Sequence, residues 1–188
     1  HVTGVQDVCS SDLSLTIASP TIASKTYNGS TTTGTITPGT LSGVISPETI
    51  NVTATGTFSN ANVGTAKTAT VVYTLADGTN GGLATNYSFA SESGTGDITA
   101  APLTITGVTA NNKVYDGTTA ATLSGTAAYS GLVNGETFTV TGTPTATFAS
   151  ANVGTGIAVT VTGYTSPNSN YSITQPSLTA NITATSTI

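Results

Sequence analysis

Lysine is scarce in this sequence, and where it occurs sets up the one covalent chemistry its side chains could support. Lys25 and Lys113 occupy the same place in an internal duplication, as do Glu48 and Glu136, Asn62 and Asn152, and Asp97 and Asn181. A lysine amine, a carboxylic acid and a carboxamide or carboxylate are the groups an intramolecular isopeptide bond requires. The neutral amine attacks the Asn or Asp side-chain carbonyl, ammonia or water leaves, and the acid shuttles the proton. Burial favours that neutral amine, because desolvation penalises the ammonium. The plainer alternative is a lysine stem lying along a strand edge with its head in water, beside a glutamate that opens a strand. Sequence separation alone leaves both readings open.

Other reactive constellations are poorly supplied. His1 is the single histidine and Cys9 the single cysteine, so no intrachain disulfide is available. Asp12, Asp77, Glu92, Asp97, Asp116 and Glu136 are scattered without calcium-loop spacing. No glycine-rich phosphate cradle follows a strand and opens a helix. The expectation is therefore no enzyme, no cofactor and no built metal site. The single metal position worth weighing is calcium near Asp97, where the two halves of the duplication meet.

Charge excludes further classes. Three Lys+Arg face eight Asp+Glu, the formal net charge is -5, and charged residues are 6% of the chain, against about 25% in ordinary soluble domains. So few cations cannot neutralise a run of phosphates, and nucleic acid is not an expected partner. No apolar run approaches the roughly 20 residues of a membrane-spanning helix, so no membrane insertion by this segment is expected. Ser and Thr together make up about a third of the residues, and β-branched Thr favours strands. With 37% hydrophobic residues, a core remains affordable and disorder is not indicated.

The elements that must position these residues are strands, and they occur twice. Leu15-Thr16-Ile17 recurs as Leu103-Thr104-Ile105, and Lys25-Thr26-Tyr27-Asn28-Gly29 as Lys113-Val114-Tyr115-Asp116-Gly117, both 88 residues on. Phe58 and Ala61-Asn62-Val63-Gly64-Thr65 recur at Phe148 and Ala151-Asn152-Val153-Gly154-Thr155, 90 residues on. Asn86-Tyr87-Ser88 and Asp97-Ile98-Thr99-Ala100 recur at Asn170-Tyr171-Ser172 and Asn181-Ile182-Thr183-Ala184, 84 residues on. Such drift marks small loop insertions between preserved strands. Ile157, Val159 and Val161 alternate with Ala158, Thr160 and Thr162, which is the period of a half-buried strand. Phe138 and Val140, matched by Ile50 and Val52, read the same way.

One helical turn is allowed around Tyr129 to Val133, and the Tyr-Asn-Gly, Tyr-Asp-Gly and Asn-Val-Gly triplets are turn signals. Tyr27, Tyr87, Tyr115 and Tyr171 are expected to pack on the core with their hydroxyls at its edge. Phe58 and Phe148 are read as core anchors. Between the strands ending near Ala100 and starting near Leu103 only Ala101 and Pro102 intervene. Proline restricts its own φ and its neighbour's backbone, so a short, stiff link is predicted. The stretch Gly4–Leu13 resembles translated adapter sequence, and residues 1–12 are read as a tail without functional weight.

Lys113–Thr119, followed by Leu123-Ser124-Gly125, Gly131–Glu136, Phe148 with Ala151–Thr155, and Asn170-Tyr171-Ser172, resembles the bacterial YDG-type repeat. The first half departs at Asn28, where the motif has Asp, and over Ser42–Pro47. The resemblance covers nearly all of 13–187 and implies repeats that occur in arrays within large exported adhesins, including filamentous-haemagglutinin-like proteins. The expected architecture is all-β, two tandem β-sandwich-like or β-grasp-like repeats, 13–100 and 103–187, joined end to end. The expected role is a structural stalk or spacer of a secreted or cell-surface bacterial adhesin; the alternative is that the repeats themselves bind a glycan or surface protein. Expected partners are neighbouring repeats of a longer chain, with any host, biofilm or cell-surface target engaged by other regions. Isopeptide closure would lower the intact mass by about one ammonia or one water per repeat; an unchanged mass excludes it.

Overall fold

The structure, a computed structural model, describes residues 12–186. The readings of Cys9 and of positions 1–11 therefore lie outside the described residues. Strand propensity dominates: among the described residues eighteen strands form, and the single helical element is a 3-10 turn at Ala84–Asn86. The fold is all-β and comprises two tandem β-sandwich-like repeats.

The first repeat contains β1 (Leu13–Ser14), β2 (Thr16–Ile17), β3 (Thr21–Ile22), β4 (Lys25–Thr26), β5 (Ile36–Thr37) and β6 (Leu41–Ser42). The longer β7 (Ile50–Phe58), β8 (Gly64–Asp77), β9 (Tyr87–Ser88) and β10 (Glu92–Thr99) follow. One curled sheet has the order β4-β10-β8-β7, with β8 antiparallel to both long neighbours. The facing layer is assembled from short pairs: β1 parallel to β9, β2 antiparallel to β6, and β3 antiparallel to β5. Pro20, which has no N–H to give a ladder, lies between β2 and β3 where the layer is broken. Leu15, Ile17, Ile22, Phe58, Ala69, Val71, Tyr87 and Ile98 form the buried set.

The second repeat has β11 (Ala101–Ala110), β12 (Lys113–Val114), β13 (Ala120–Ala121), β14 (Leu123–Ser130), β15 (Thr141–Phe148), β16 (Gly154–Thr165), β17 (Tyr171–Thr174) and β18 (Ser177–Thr183). Its layers are β14-β11-β17 and β12-β18-β16-β15-β13. As in the first repeat, the strand bearing Asn-Tyr-Ser runs parallel to the opening strand, with Leu13 opposite Tyr87 and Ala101 opposite Tyr171. Ile105, Phe148, Val159, Val161, Tyr164, Ala180 and Ile182 form the core cluster. Val159 and Val161 point inward and Thr160 outward, as the alternation predicts.

Three local expectations are corrected. Ala101 and Pro102 are not a link between strands; they open β11, and Ala101 is buried opposite Tyr171. Phe138 and Val140 form no strand, although Ile50 and Val52 do. In the first repeat β8 continues to Asp77 and pairs with Ile50. In the second, β16 ends at Thr165 before Ser166-Pro167, so residues 137–140 have no strand to pair with. The turn allowed at Tyr129 to Val133 is the end of β14 followed by Gly131, whose φ of 107° lies outside right-handed helix.

Compactness divides the described chain into two units at almost, but not quite, the repeat boundary. One holds the residues up to Lys25 together with Ser30–Thr99; the other holds Thr26–Gly29 with Ala100 onward. The tetrapeptide carrying the first Tyr-Asn-Gly thus counts with the second unit. Outward threonines substitute for charge: Thr141 and Thr165 hydroxyls lie 2.7 Å apart and Thr145 and Thr162 3.0 Å apart, cross-strand pairs of the kind that stabilise sheets. Truncating Phe148 or Phe58, each 2% exposed, to alanine should cost about 3–5 kcal/mol. Urea unfolding followed by circular dichroism measures it, and Thr160→Ala on the outer face should change stability by no more than about 0.5 kcal/mol.

Candidate functional site

Each matched lysine holds the loop that follows it. Lys25 Nζ donates to the carbonyl oxygens of Ser30 and Thr32, both at 2.6 Å, and partial burial lowers its pKa from the ordinary value. Lys113 Nζ donates to Asp116 Oδ1 at 2.8 Å, to the Thr118 carbonyl at 2.8 Å and to Thr118 Oγ1 at 3.1 Å. Its ammonium also lies 5.5 Å from the centroid of the Phe148 ring, within cation–π range. The Lys113 ammonium, with donors from Thr118, holds the Asp116 carboxyl down at about 2. The lysine clamp therefore closes the loop that follows it in both repeats, and in the second repeat it lies over the Phe148 ring.

The matched acid or amide near the end of each repeat serves a strand irregularity. Asp97 Oδ1 accepts the Ala66 N–H at 2.7 Å, and Asn181 Oδ1 accepts the Gly156 N–H at 2.8 Å. Ala66 and Gly156 are matched positions with φ of 47° and 60°, beside register shifts in the two sheets. At the other Asn pair, the Asn62 N–H bonds Asn60 Oδ1 and the Asn152 N–H bonds Ser150 Oγ, closing the two hairpin loops. Lys25 and Lys113 thus bond within the loops that follow them, and Asp97 and Asn181 bond at the strand irregularities. Among the described residues, no group of three His, Cys, Asp or Glu side chains is placed to hold a metal ion.

The glutamates are where side chains from distant elements converge. Glu48 and Glu136 each end a four-residue turn whose N–H returns to the carbonyl of Ile45 at 2.8 Å or Val133 at 3.0 Å. The two turns reach this shape by different chemistry. Ser46–Pro47 is a cis pair, as in type VI turns, whereas Asn134 and Gly135 have φ of 55° and 69°, as in type I′ turns. The loose-looking Ser42–Pro47 segment therefore does the work of Gly-Leu-Val-Asn-Gly. In the first unit Tyr87 Oη donates to Glu48 Oε2 at 2.5 Å and accepts the Ile45 N–H at 3.2 Å. In the second, Tyr171 Oη donates to Glu136 Oε2 at 2.8 Å and accepts the Val133 N–H at 3.2 Å. A buried tyrosine hydroxyl thus joins turn backbone to turn carboxylate.

The second unit adds a further donor. Tyr27, within its Thr26–Gly29 segment, donates to Glu136 Oε1 at 2.5 Å and meets the Tyr171 ring edge-on, with centroids 5.4 Å apart at 79°. Phe138 lies on the same ring at 6.2 Å and 71°. Gly29 has φ of 75°, and a Cβ there would stand 2.6 Å from Asn134 Nδ2, so only glycine lets the segment lie on the turn. The Tyr27 hydroxyl is pushed up to about 12, first by its hydrogen bond to Glu136 and then by burial. Tyr87 is raised chiefly by Glu48, and Tyr171 chiefly by burial.

Tyr27, Tyr87 and Tyr171 pack on the core with their hydroxyls at its edge, as their sequence context predicts, but Tyr115 does not: it is 43% exposed. The carboxylate partners of the three buried tyrosines were not foreseen. The matched Glu and the matched Tyr of Asn-Tyr-Ser were both visible as repeats, and that shared recurrence was the available signal. Comparison with family models matches the YDG domain over residues 11–94 and again over 99–180. The chain belongs to the YDG domain family. Comparisons with curated proteins and with solved structures returned no match. In the second unit the Tyr27-Asn28-Gly29 segment and the Glu136–Tyr171 pair form one arrangement.

The tyrosine ionisation gives a directional pH dependence. Tyr27 has its folded pKa raised above the unfolded value near 10, so its contribution is complete below pH 10 and is lost as pH rises towards about 12. Tyrosinate absorbance should show a late-ionising phase that moves down in Glu136→Gln. Glu136→Ala should cost about 1.5–3 kcal/mol in denaturant unfolding, more than Glu48→Ala, because it strands two hydroxyls rather than one.

Proposed function

We propose that this chain is a stalk segment: tandem spacer repeats of a secreted or cell-surface bacterial adhesin, without catalytic activity, whose target is engaged by other regions. The observation that carries this reading is that a whole β unit is duplicated and the matched lysines, the matched glutamates and the Asp97/Asn181 pair have a structural occupation in both copies. Lysines clamp loops, Asp97 and Asn181 cap irregular strands, and the glutamates anchor tyrosines. Residues retained for a ligand would instead leave polar side chains converging on a cavity. A hollow of about 540 Å³ is lined by Ala121, Thr122, Leu123, Pro144, Thr145 and Ala146, a set without a charged or aromatic side chain. The family's occurrence in large exported adhesins supports the same reading.

Direct binding by the repeats themselves calls for an aromatic surface common to both. The exposed aromatics among the described residues are Tyr115 and Phe138, whereas their matches are the buried Tyr27 and the half-buried Ile50. This asymmetry favours the spacer. Among the described residues no helix is long and apolar enough to cross a membrane. The test is to place the 188-residue segment between a surface anchor and a distal binding reporter. Adhesion through the reporter should rise as copies of the segment are added, and the segment without the reporter should be retained on neither glycan arrays nor cells. Retention of the segment alone overturns the proposal.

A further inference from the structure

The Tyr-Asx-Gly segment occurs twice with the same backbone but in two different surroundings. Gly29 and Gly117 both have φ of 75°, and the loop around each is clamped by its own lysine, which bonds the carbonyl of the residue after the glycine. Tyr27 is 7% exposed, held between the Glu136 carboxylate and the Tyr171 ring. Tyr115 is 43% exposed, and Val114 beside it is 56% exposed. A Cβ on Gly29 would strike Asn134, whereas a Cβ on Gly117 would meet nothing nearer than its own Tyr115 hydroxyl at 4.0 Å. The second copy is therefore shaped for a neighbour that the first copy has and it does not.

The receiving side shows the complementary difference. In the second unit Glu136 accepts hydroxyls on both carboxylate oxygens, Tyr171 on one and Tyr27 on the other. In the first unit the corresponding Glu48 receives Tyr87 on Oε2. Ile45, whose N–H bonds the Tyr87 hydroxyl, is 60% exposed, and its match Val133 is half-buried. Exposed apolar side chains around a preformed polar anchor are what a docking surface presents.

We propose that Val114–Gly117 is a plug for a further YDG repeat following in tandem, whose glutamate at the position of Glu136 accepts the Tyr115 hydroxyl while its Asn-Tyr-Ser tyrosine takes the ring edge-on. The occupant is a repeat of this family because the matching segment Thr26–Gly29 is seen to satisfy such a Glu–Tyr pair. The inference rests on the array reading and adds the residue that couples one repeat to the next. Exposed glycine and tyrosine in this segment then serve a contact rather than a turn alone.

The experiment appends a second copy of Ala101–Ile188 after Ala184 of the full chain and follows amide hydrogen exchange in the added repeat. Tyr115→Ala should raise exchange in the added repeat about tenfold or more, equivalent to about 1.4 kcal/mol, while leaving the 188-residue chain unchanged. Tyr115→Phe should give part of that rise, and replacing the added repeat's matching glutamate by glutamine should reproduce the Phe effect without adding to it. Equal exchange in the added repeat with and without Tyr115→Ala overturns the proposal. So does a loss of the same size in the 188-residue chain, which would mean that the ring packs only within its own repeat. Neither result touches the adhesion assay of the spacer, so the two readings fail separately.

Discussion

A carboxylate partly withdrawn from water must have its oxygens occupied by donors, or the cost of desolvation falls on the fold. Glu48 and Glu136 meet this requirement with tyrosine hydroxyls, and the consequences spread outward. The tyrosine comes from the strand parallel to the opening strand of the repeat, the glutamate from a turn in a different part of the chain. One hydrogen bond therefore ties together three elements that are far apart in sequence. Because the same hydroxyl also accepts a turn N–H, ring, turn and carboxylate are positioned together.

This polar anchor matters more here than in an ordinary domain because there is little else of its kind. Charged residues are 6% of the chain, and the ion pair of Lys113 with Asp116 is at the surface, where such pairs contribute little. The remaining polar order comes from threonine hydroxyls on outward strand faces and from lysine ammonium groups donating to loop carbonyls. Hydroxyl pairs are indifferent to screening. The apolar cores are correspondingly small and lean on one phenylalanine each, with valine and isoleucine packed around it.

The two repeats also show how different local chemistry can satisfy one tertiary requirement. A cis Ser46–Pro47 turn and an Asn134-Gly135 turn share no residue, yet both return the glutamate N–H to the residue three earlier. Asn28 stands where Asp116 stands, and both lysines still donate to the carbonyl of the matched residue, Ser30 in one loop and Thr118 in the other. Departures from the family pattern at Asn28 and at Ser42–Pro47 are thus absorbed without altering what the turn and loop deliver.

Much of this was legible in the residues. The duplication, the all-β class, the alternation that buries Val159 and Val161, the Asn-Val-Gly hairpin loops and the two phenylalanine anchors follow from period-2 patterning and turn chemistry, which are local properties. The strand over Ile50 and Val52 but not over Phe138 and Val140 was not legible, because it depends on how far the partner strand runs. Nor was the sharing of Glu136 by Tyr27 and Tyr171, or the burial of Tyr27 against the exposure of Tyr115. Those two tyrosines occupy near-identical motifs, so sequence alone determined the turn they share, while the lysine clamp on it came from the tertiary structure. What each ring touches is decided by residues more than a hundred positions away, and only the tertiary structure brings such partners together.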